Sequence, residues 1–309
     1  MKVAITGSSG LIGSTLSASL RADGHEVVRL VRRPPRDAGE VRWDPRAADA
    51  GISGNPAATP LHGIDACVHL AGAGVGDHRW TDAYKAEIRA SRVLATSALA
   101  TALTKLDPAP KVLLTASAIG WYGQAGGQDG AIAVTEDAPA GQGFLARVVH
   151  DWEAAAAPAA ARGIRVAQLR SGLVLSARGG VLKRLAQPAK LGVLPRFGDG
   201  TQVMSWISLT DEIRAIRFLL DSASASGPFN LTAPNPVTNS EFTAALMHAF
   251  RRPDFPWVRV PAPLLKLGLG EMSAELLGSA RVAPKRLLDA GFEFTYPTIR
   301  AALAAELAL

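Results

Sequence analysis

Residues 3–13 read Val-Ala-Ile-Thr-Gly-Ser-Ser-Gly-Leu-Ile-Gly, an apolar strand that runs straight into Gly7-x-x-Gly10-x-x-Gly13 and then a helix. Such a turn lets backbone N–H groups at a helix N-terminus approach a pyrophosphate with no side chain in the way. A lone glycine motif is weak evidence. Here a strand precedes it, an amphipathic helix follows, and a second strand comes at the right spacing. The end of that second strand selects the cofactor. An acidic residue there would bond the ribose hydroxyls of NAD, but the chain offers Arg32 and Arg33. A guanidinium suits a 2′-phosphate through bidentate, charge-assisted contacts, so NADP(H) is the expected cofactor.

The groups that would move protons are harder to find. Four residues beyond Tyr84, Tyr122 and Tyr296 stand Ile88, Gly126 and Arg300, so no tyrosine has a lysine one helical turn on. A phenol whose pKa is lowered by such an ammonium is therefore unavailable. The candidates that remain are Ser117, at the end of a strand where ligands bind in open α/β sheets, and Tyr122 on the following loop. Tyr122 could serve as a displaced acid or pack beside Trp121. His69 lies in a buried strand and reads as a core histidine, and His150 as an ordinary helix residue. Lys85 reads equally as a substrate contact or a solvated helix position. Trp206 and Arg170 are expected to line the cleft. No His/Cys/Asp cluster has metal-ligand spacing and no Gly-x-Ser-x-Gly elbow is present, so no metal is expected.

The elements that must position these residues alternate. Strands are expected at Val3–Thr6, Glu26–Val31, Asp65–Ala71, Lys111–Ser117 and Arg165–Arg170. Helices are expected at Leu11–Asp23, Trp80–Leu103, Phe144–Ala161, Asp211–Leu220 and Asn239–Phe250. Residues 38–62 read as mostly loop with one short strand, and 126–143 as a Gly-rich loop over the site. The Pro-rich stretch 228–236 precedes the helix at Asn239–Phe250. Alternation implies parallel pairing with right-handed crossovers: an α/β fold, a Rossmann-type doubly wound parallel sheet with a smaller, mainly helical C-terminal substrate region. The expected division is residues 1–221 for the nucleotide-binding domain, with insertions after 171, and 222–309 for the cap.

Composition excludes several classes. At 309 residues, 48% hydrophobic and 19% charged, the chain is ordinary for a globular protein, against disorder. The +6 net charge comes from scattered, mostly Arg residues with no dense basic block, which argues against nucleic acid. No apolar run reaches about 18 residues, so no membrane span is expected. The apolar segment after Lys2 is too short for a signal peptide, and Cys67, the only cysteine, reads as buried and inert. A cytoplasmic enzyme is the expectation.

Thr6-Gly7-x-x-Gly10-x-x-Gly13, His69-Leu70-Ala71-Gly72 and Leu169-Arg170-x-Gly172 resemble the extended short-chain dehydrogenase/reductases of the epimerase/dehydratase type. Further segments narrow the resemblance: Arg79-Trp80-Thr81, Ser91-Arg92, Ser117-Ala118-Ile119-Gly120-Trp121-Tyr122-Gly123, Asp151-Trp152-Glu153, Ser205-Trp206-Ile207, Asn230 to Pro236 and Pro284-Lys285-Arg286-Leu287. Together they are similar to an atypical branch, the epimerase family proteins or nucleotide-sugar epimerases with a C-terminal domain long of unknown function. The resemblance implies NADP(H) in a Rossmann-type core. Gly7, Gly10, Leu11, Ile12 and Gly13 would cradle the pyrophosphate, and Arg32 would take the adenosine end. Leu70 and Ala71 would pass beside the adenine and ribose, and Glu87 and Arg92 would reach the cofactor. Ser117 and Leu173 would border the nicotinamide. The chain departs from the wider superfamily where Tyr-x-x-x-Lys should stand: residues 143–150 read Gly-Phe-Leu-Ala-Arg-Val-Val-His.

The reading is an NADP(H)-dependent oxidoreductase or epimerase of a small polar substrate such as a nucleotide sugar. By analogy it could form a homodimer through the helices at 80–103 and 144–161. The alternative is a non-catalytic NADP(H)-binding sensor or regulatory protein, motivated by the missing pair.

Overall fold

The computed structural model describes residues 1–47, 50, 52, 60–123 and 132–307. Its centre is a seven-stranded parallel sheet: β1 (Lys2–Thr6), β2 (Glu26–Val31), β3 (Glu40–Arg42), β4 (Ala66–His69), β5 (Val112–Ala118), β6 (Arg165–Ser171) and β7 (Gly227–Leu231). Its order, β7-β6-β5-β4-β1-β2-β3, reverses between β4 and β1, the switch point that opens a crevice at the carboxyl edge.

Helices cover both faces, as the buried apolar strands require. α1 (Leu11–Ala22) buries Leu16 and Leu20 against one face, and Gly24, at φ +79°, ends it. Burying each such leucine contributes about 1.5–3 kcal/mol. α2 (Asp82–Thr104) is capped by Thr81, whose hydroxyl accepts the Tyr84 N–H, and it covers the opposite face with α3 (Phe144–Ala154) and α4 (Ala157–Ala161). The continuous helix expected over 144–161 is thus broken at Ala155–Ala156, with Pro158 tolerated in the first turn of the second piece.

α5 (Gly180–Lys190) follows, then α6 (Leu209–Asp221), which packs beside α1. The Pro-rich stretch begins with a strand. Residues 227–231 form the edge strand β7, so the sheet reaches past residue 221, and Pro228 is accepted because an edge strand need not donate on its open side. α7 (Asn239–Ala249), α8 (Ala262–Leu269), α9 (Ser273–Leu277), α10 (Lys285–Asp289) and α11 (Ile299–Leu307) form the mainly helical remainder. A second core joins α5, α7 and α11 around Trp206, Phe242 and Leu303. The loop expected over the site falls partly on residues 124–131, outside the described residues. Beyond it Ala133–Val134 pairs with Arg281–Val282. Among the described residues no helix is long and apolar enough to cross a membrane.

Candidate functional site

At the glycine turn, space is the controlling quantity. Gly7 has φ +64°, and a Cβ there would lie 2.7 Å from the Leu70 carbonyl. A Cβ on Gly13 would meet the Gly7 oxygen at 2.3 Å, so Gly13 lets α1 close onto the turn. The neighbouring strand end is pinned by one hydroxyl. Thr6 Oγ1 accepts the N–H groups of Leu70 (3.1 Å) and Ala71 (3.3 Å), so its own proton goes to His69 Nδ1 at 2.7 Å. His69 is fully buried, and burial pushes its pKa down to about 4, which keeps the ring neutral. Leu11, Ile12, Leu70, Ala71 and Leu173 are half-buried along the carboxyl edge. The turn and its apolar wall therefore form a cradle that fits a dinucleotide.

At the end of β2 the two arginines part. Arg33 makes a bidentate pair with Glu40 of β3 (2.7 and 2.6 Å), and Glu40 also receives the Arg36 N–H at 2.8 Å and Arg29 at 3.1 Å. The Arg33 bond, the Arg36 N–H and the nearby cations hold the Glu40 carboxyl down at about 2. Arg32 is exposed and has no partner among the described residues. Of the two, Arg32 is the guanidinium free to meet an anion, because Glu40 neutralises Arg33.

On α2, Arg92 lies over the Trp152 ring (5.0 Å) and near Gly72, and its Nη1 donates to the Ile88 carbonyl at 3.1 Å. No carboxylate pairs with it among the described residues, and burial lowers its pKa. A half-buried cation beside the loop after β4 suits an anionic ligand. Glu87 instead pairs with Arg46 at 3.2 Å on an exposed face.

Ser117 and Arg170 are register partners on β5 and β6, so both side chains point toward α3. Glu153 meets them there. It accepts Ser117 Oγ at 2.6 Å and the Arg170 guanidinium through two contacts of 2.8 Å. Arg170 also lies over the Trp121 ring at 4.0 Å and donates to Tyr122 Oη at 3.0 Å. Tyr122 is fully buried; its phenol donates to Asn230 Oδ1 at 2.7 Å, and burial raises its pKa. The displaced-acid expectation for Tyr122 is therefore not met, because its proton is committed and water cannot reach it. Packing is its role. Asn230 continues to the Ala283 carbonyl and Glu136, tying β7 to the segment before α10. Arg170 and Trp206, expected to line the cleft, are 2% and 0% exposed and sit inside the structure instead. Lys85 is engaged by Glu271 at 2.8 Å.

The start of α3, which carries no Tyr-x-x-x-Lys pair, is apolar. A Cβ on Gly120 would touch Leu145 at 3.5 Å and Val149 at 3.7 Å, an i, i+4 pair on α3. Phe144 and Leu145 pack with Trp80, Val75, Tyr84 and Met272, and Tyr84 Oη donates to the Gly74 carbonyl at 2.5 Å. Glu40, Glu153 and Tyr84 escaped the sequence reading. Only the Asp-Trp-Glu triplet signalled any of them. Its Asp151 pairs with Arg89 (2.8 Å), Trp152 Nε1 donates to Thr96 (2.9 Å), and Glu153 meets Arg170. A cavity of about 460 Å³ lined by Ser19, Arg214, Arg217 and Phe292 lies between α1 and α6. Its arginines are already paired with Asp211 and Asp23, so it does not compete with the glycine turn as a site.

Known proteins resemble this chain in sequence and fold. An epimerase family protein of Mycobacterium bovis is 43% identical over 302 residues, covering 97% of this chain and 96% of its own. The crystal structure of the human epimerase family protein SDR39U1 with NADPH superposes with a TM-score of 0.87 at 30% identity, over 99% of both chains. A structure of the nucleoside-diphosphate sugar epimerase of Corynebacterium glutamicum gives 0.79 at 37% identity, over 99% of this chain and 58% of that one. Residues 260–306 match a domain of unknown function, DUF1731. Residues 3–232, which hold the glycine turn, the pinned strand end and the Ser117–Glu153–Arg170 cluster, match the NAD dependent epimerase/dehydratase family, and the chain belongs to that family.

Proposed function

We propose that the chain binds NADP(H) and is an oxidoreductase or epimerase of a small polar substrate such as a nucleotide sugar. The observation that carries the cofactor is the split between the arginines. Glu40 neutralises Arg33 from β3, no acid stands at the end of β2 to bond ribose hydroxyls, and Arg32 is left free for a 2′-phosphate. The NADPH bound to the human relative supports the same choice. In this reading Gly7, Gly10 and Gly13 keep the turn open to a pyrophosphate. Leu11, Ile12, Leu70, Ala71 and Leu173 exclude water along it, and Arg92 supplies a second cation. Bound there, the cofactor would supply hydride exchange. Ser117, whose proton is held by Glu153, offers any ligand at the sheet edge an acceptor oxygen.

The apolar pair Leu145 and Val149 favours a second reading, a non-catalytic NADP(H)-binding sensor or regulatory protein. Consumption of cofactor absorbance with carbonyl or sugar substrates separates the two. The test of the first step is calorimetric titration with NADPH and NADH, wild type beside Arg32→Ala. Loss of one charge-assisted phosphate contact should weaken NADPH by about 1.5–3 kcal/mol, roughly 10- to 100-fold, and leave NADH unchanged. Equal binding of both cofactors by the wild type would remove the NADP(H) assignment.

A further inference from the structure

Glu212 is a buried carboxyl that the cofactor reading leaves unused. It stands in the first turn of α6, with 1% of its surface exposed. Ser171 Oγ, at the carboxyl end of β6, donates to Glu212 Oε1 at 2.6 Å, and Glu212 Oε2 has no hydrogen-bond partner among the described residues. Ser171 is half-buried, in register with Ala118 of β5, and two residues before Leu173. Leu11, Ile12, Leu70 and Val174 pack on the same core that Leu209, Ile213 and Ile216 of α6 help to form.

Other buried carboxylates of this molecule have cations or several N–H donors. Glu40 has Arg33, Glu153 has Arg170, Asp211 has Arg214 and the N–H groups of Thr295 and Tyr296, and Glu136 has the N–H groups of Asn230 and Arg286. Glu212 has one hydroxyl. Charges on the packed elements are directed elsewhere. Arg170 points to the opposite face of the sheet, Arg217 goes to Asp23 and Ser19, Arg21 to the Val27 carbonyl, Arg178 to Thr15, and Glu306 to Thr210.

We propose that Glu212 and Ser171 form a proton-delivering pair for a ligand oxygen at the carboxyl edge of the sheet, the task left open by the absence of a Tyr-x-x-x-Lys pair. With Glu212 protonated, the Ser171 hydroxyl turns from Oε1 toward the ligand; the Glu212 proton then passes to Ser171 Oγ as the Ser171 O–H bond breaks and its proton moves to a substrate oxygen that is gaining an electron pair. Ser171 is neutral before and after, and the carboxylate left on Glu212 regains a proton from solvent. Burial pushes the Glu212 carboxyl up to about 7, where a general acid works best at neutral pH. The inference rests on the NADP(H) reading, because a carbonyl undergoing reduction is the acceptor that needs this proton.

Calorimetric titration with NADP⁺ and with NADPH at pH 7, in two buffers of different ionisation enthalpy, counts the protons exchanged. The oxidised nicotinamide ring carries a positive charge that the reduced ring lacks. If that charge lowers the carboxyl by about one unit, NADP⁺ binding releases roughly 0.4 proton more than NADPH binding. Glu212→Gln should abolish the difference. In the free protein, infrared spectra should show a protonated-carboxyl band that disappears between pH 6 and 8.5 and is missing in the variant. Equal proton counts for the two cofactor forms, or a difference that survives in Glu212→Gln, would overturn the pair while leaving cofactor binding intact. Binding of neither form would remove the NADP(H) reading, and the pair with it.

Discussion

The ion pair between Glu153 and Arg170 can be tested as a quantity. Their side chains are 10% and 2% exposed, and two contacts of 2.8 Å join them. Charge centres about 4 Å apart attract by ~4 kcal/mol at an effective dielectric constant of about 20. Each single replacement also strands a buried charge. Glu153→Leu leaves Arg170 without an anion, and Arg170→Met leaves Glu153 with only the Ser117 hydroxyl. Either should cost about 3–5 kcal/mol. The double replacement strands no charge. It loses the bonds from Arg170 to Tyr122 and the Glu136 carbonyl and the one from Ser117, so its cost should stay near 2–3 kcal/mol. The two singles together then exceed the double by about 3 kcal/mol or more. Urea unfolding followed by circular dichroism and tryptophan fluorescence, at constant m-value, reads each figure. Singles that add, with a coupling under about 0.5 kcal/mol, would refute the argument that a paired buried charge holds α3 to the sheet.

Other consequences can be checked singly. Glu40 is held at about 2 in the folded protein against an ordinary 4.5, so its contribution is fully present above pH 4.5 and is lost as pH falls toward 2. Wild type should therefore lose thermal stability between pH 5 and 3 more steeply than Glu40→Gln; parallel curves would contradict the clamp. Gly13→Ala forces a Cβ to within 2.3 Å of the Gly7 oxygen, whereas Gly120→Ala meets Leu145 at an ordinary 3.5 Å. The first should destabilise by about 2 kcal/mol or more and impair nucleotide binding, and the second should stay within about 0.5 kcal/mol, as denaturation midpoints will show. Cys67 is fully buried and burial pushes its thiol up to about 12, so a thiol-reactive dye should label the native protein only at the rate of unfolding. Fast stoichiometric labelling would contradict its burial.

What could be read from the sequence was what is decided locally. The glycine turn is legible because Gly7 and Gly13 answer to backbone atoms within a few residues or at the next strand end. The β7 strand is not, since Gly227 and Pro228 have the composition of a turn and are drawn into the sheet only by register with Ala167 and Gln168. Arg32 and Arg33 look interchangeable in sequence. Pairing of residues 29–31 with 40–42 separates them, because it delivers Glu40 to one and not the other.

The same reasoning decides the candidate site. Successive strand residues point to opposite faces, so a shift of one position exchanges every partner a side chain can have. Ser117 and Arg170 share the α3 face and find Glu153, which accepts the serine hydroxyl and pairs with the guanidinium. Ala118 and Ser171, one residue on, share the α6 face, and Ser171 finds Glu212, where no cation pairs among the described residues and burial raises the carboxyl to about 7. The sequence places Ser117 at the carboxyl edge and offers Ser117 and Tyr122 as candidate acids, with no signal for Glu212. The fold instead supplies two carboxyls on opposite sides of one strand pair, alike in residue type and unlike in partners: Glu153 is engaged by a guanidinium and Glu212 by a single hydroxyl.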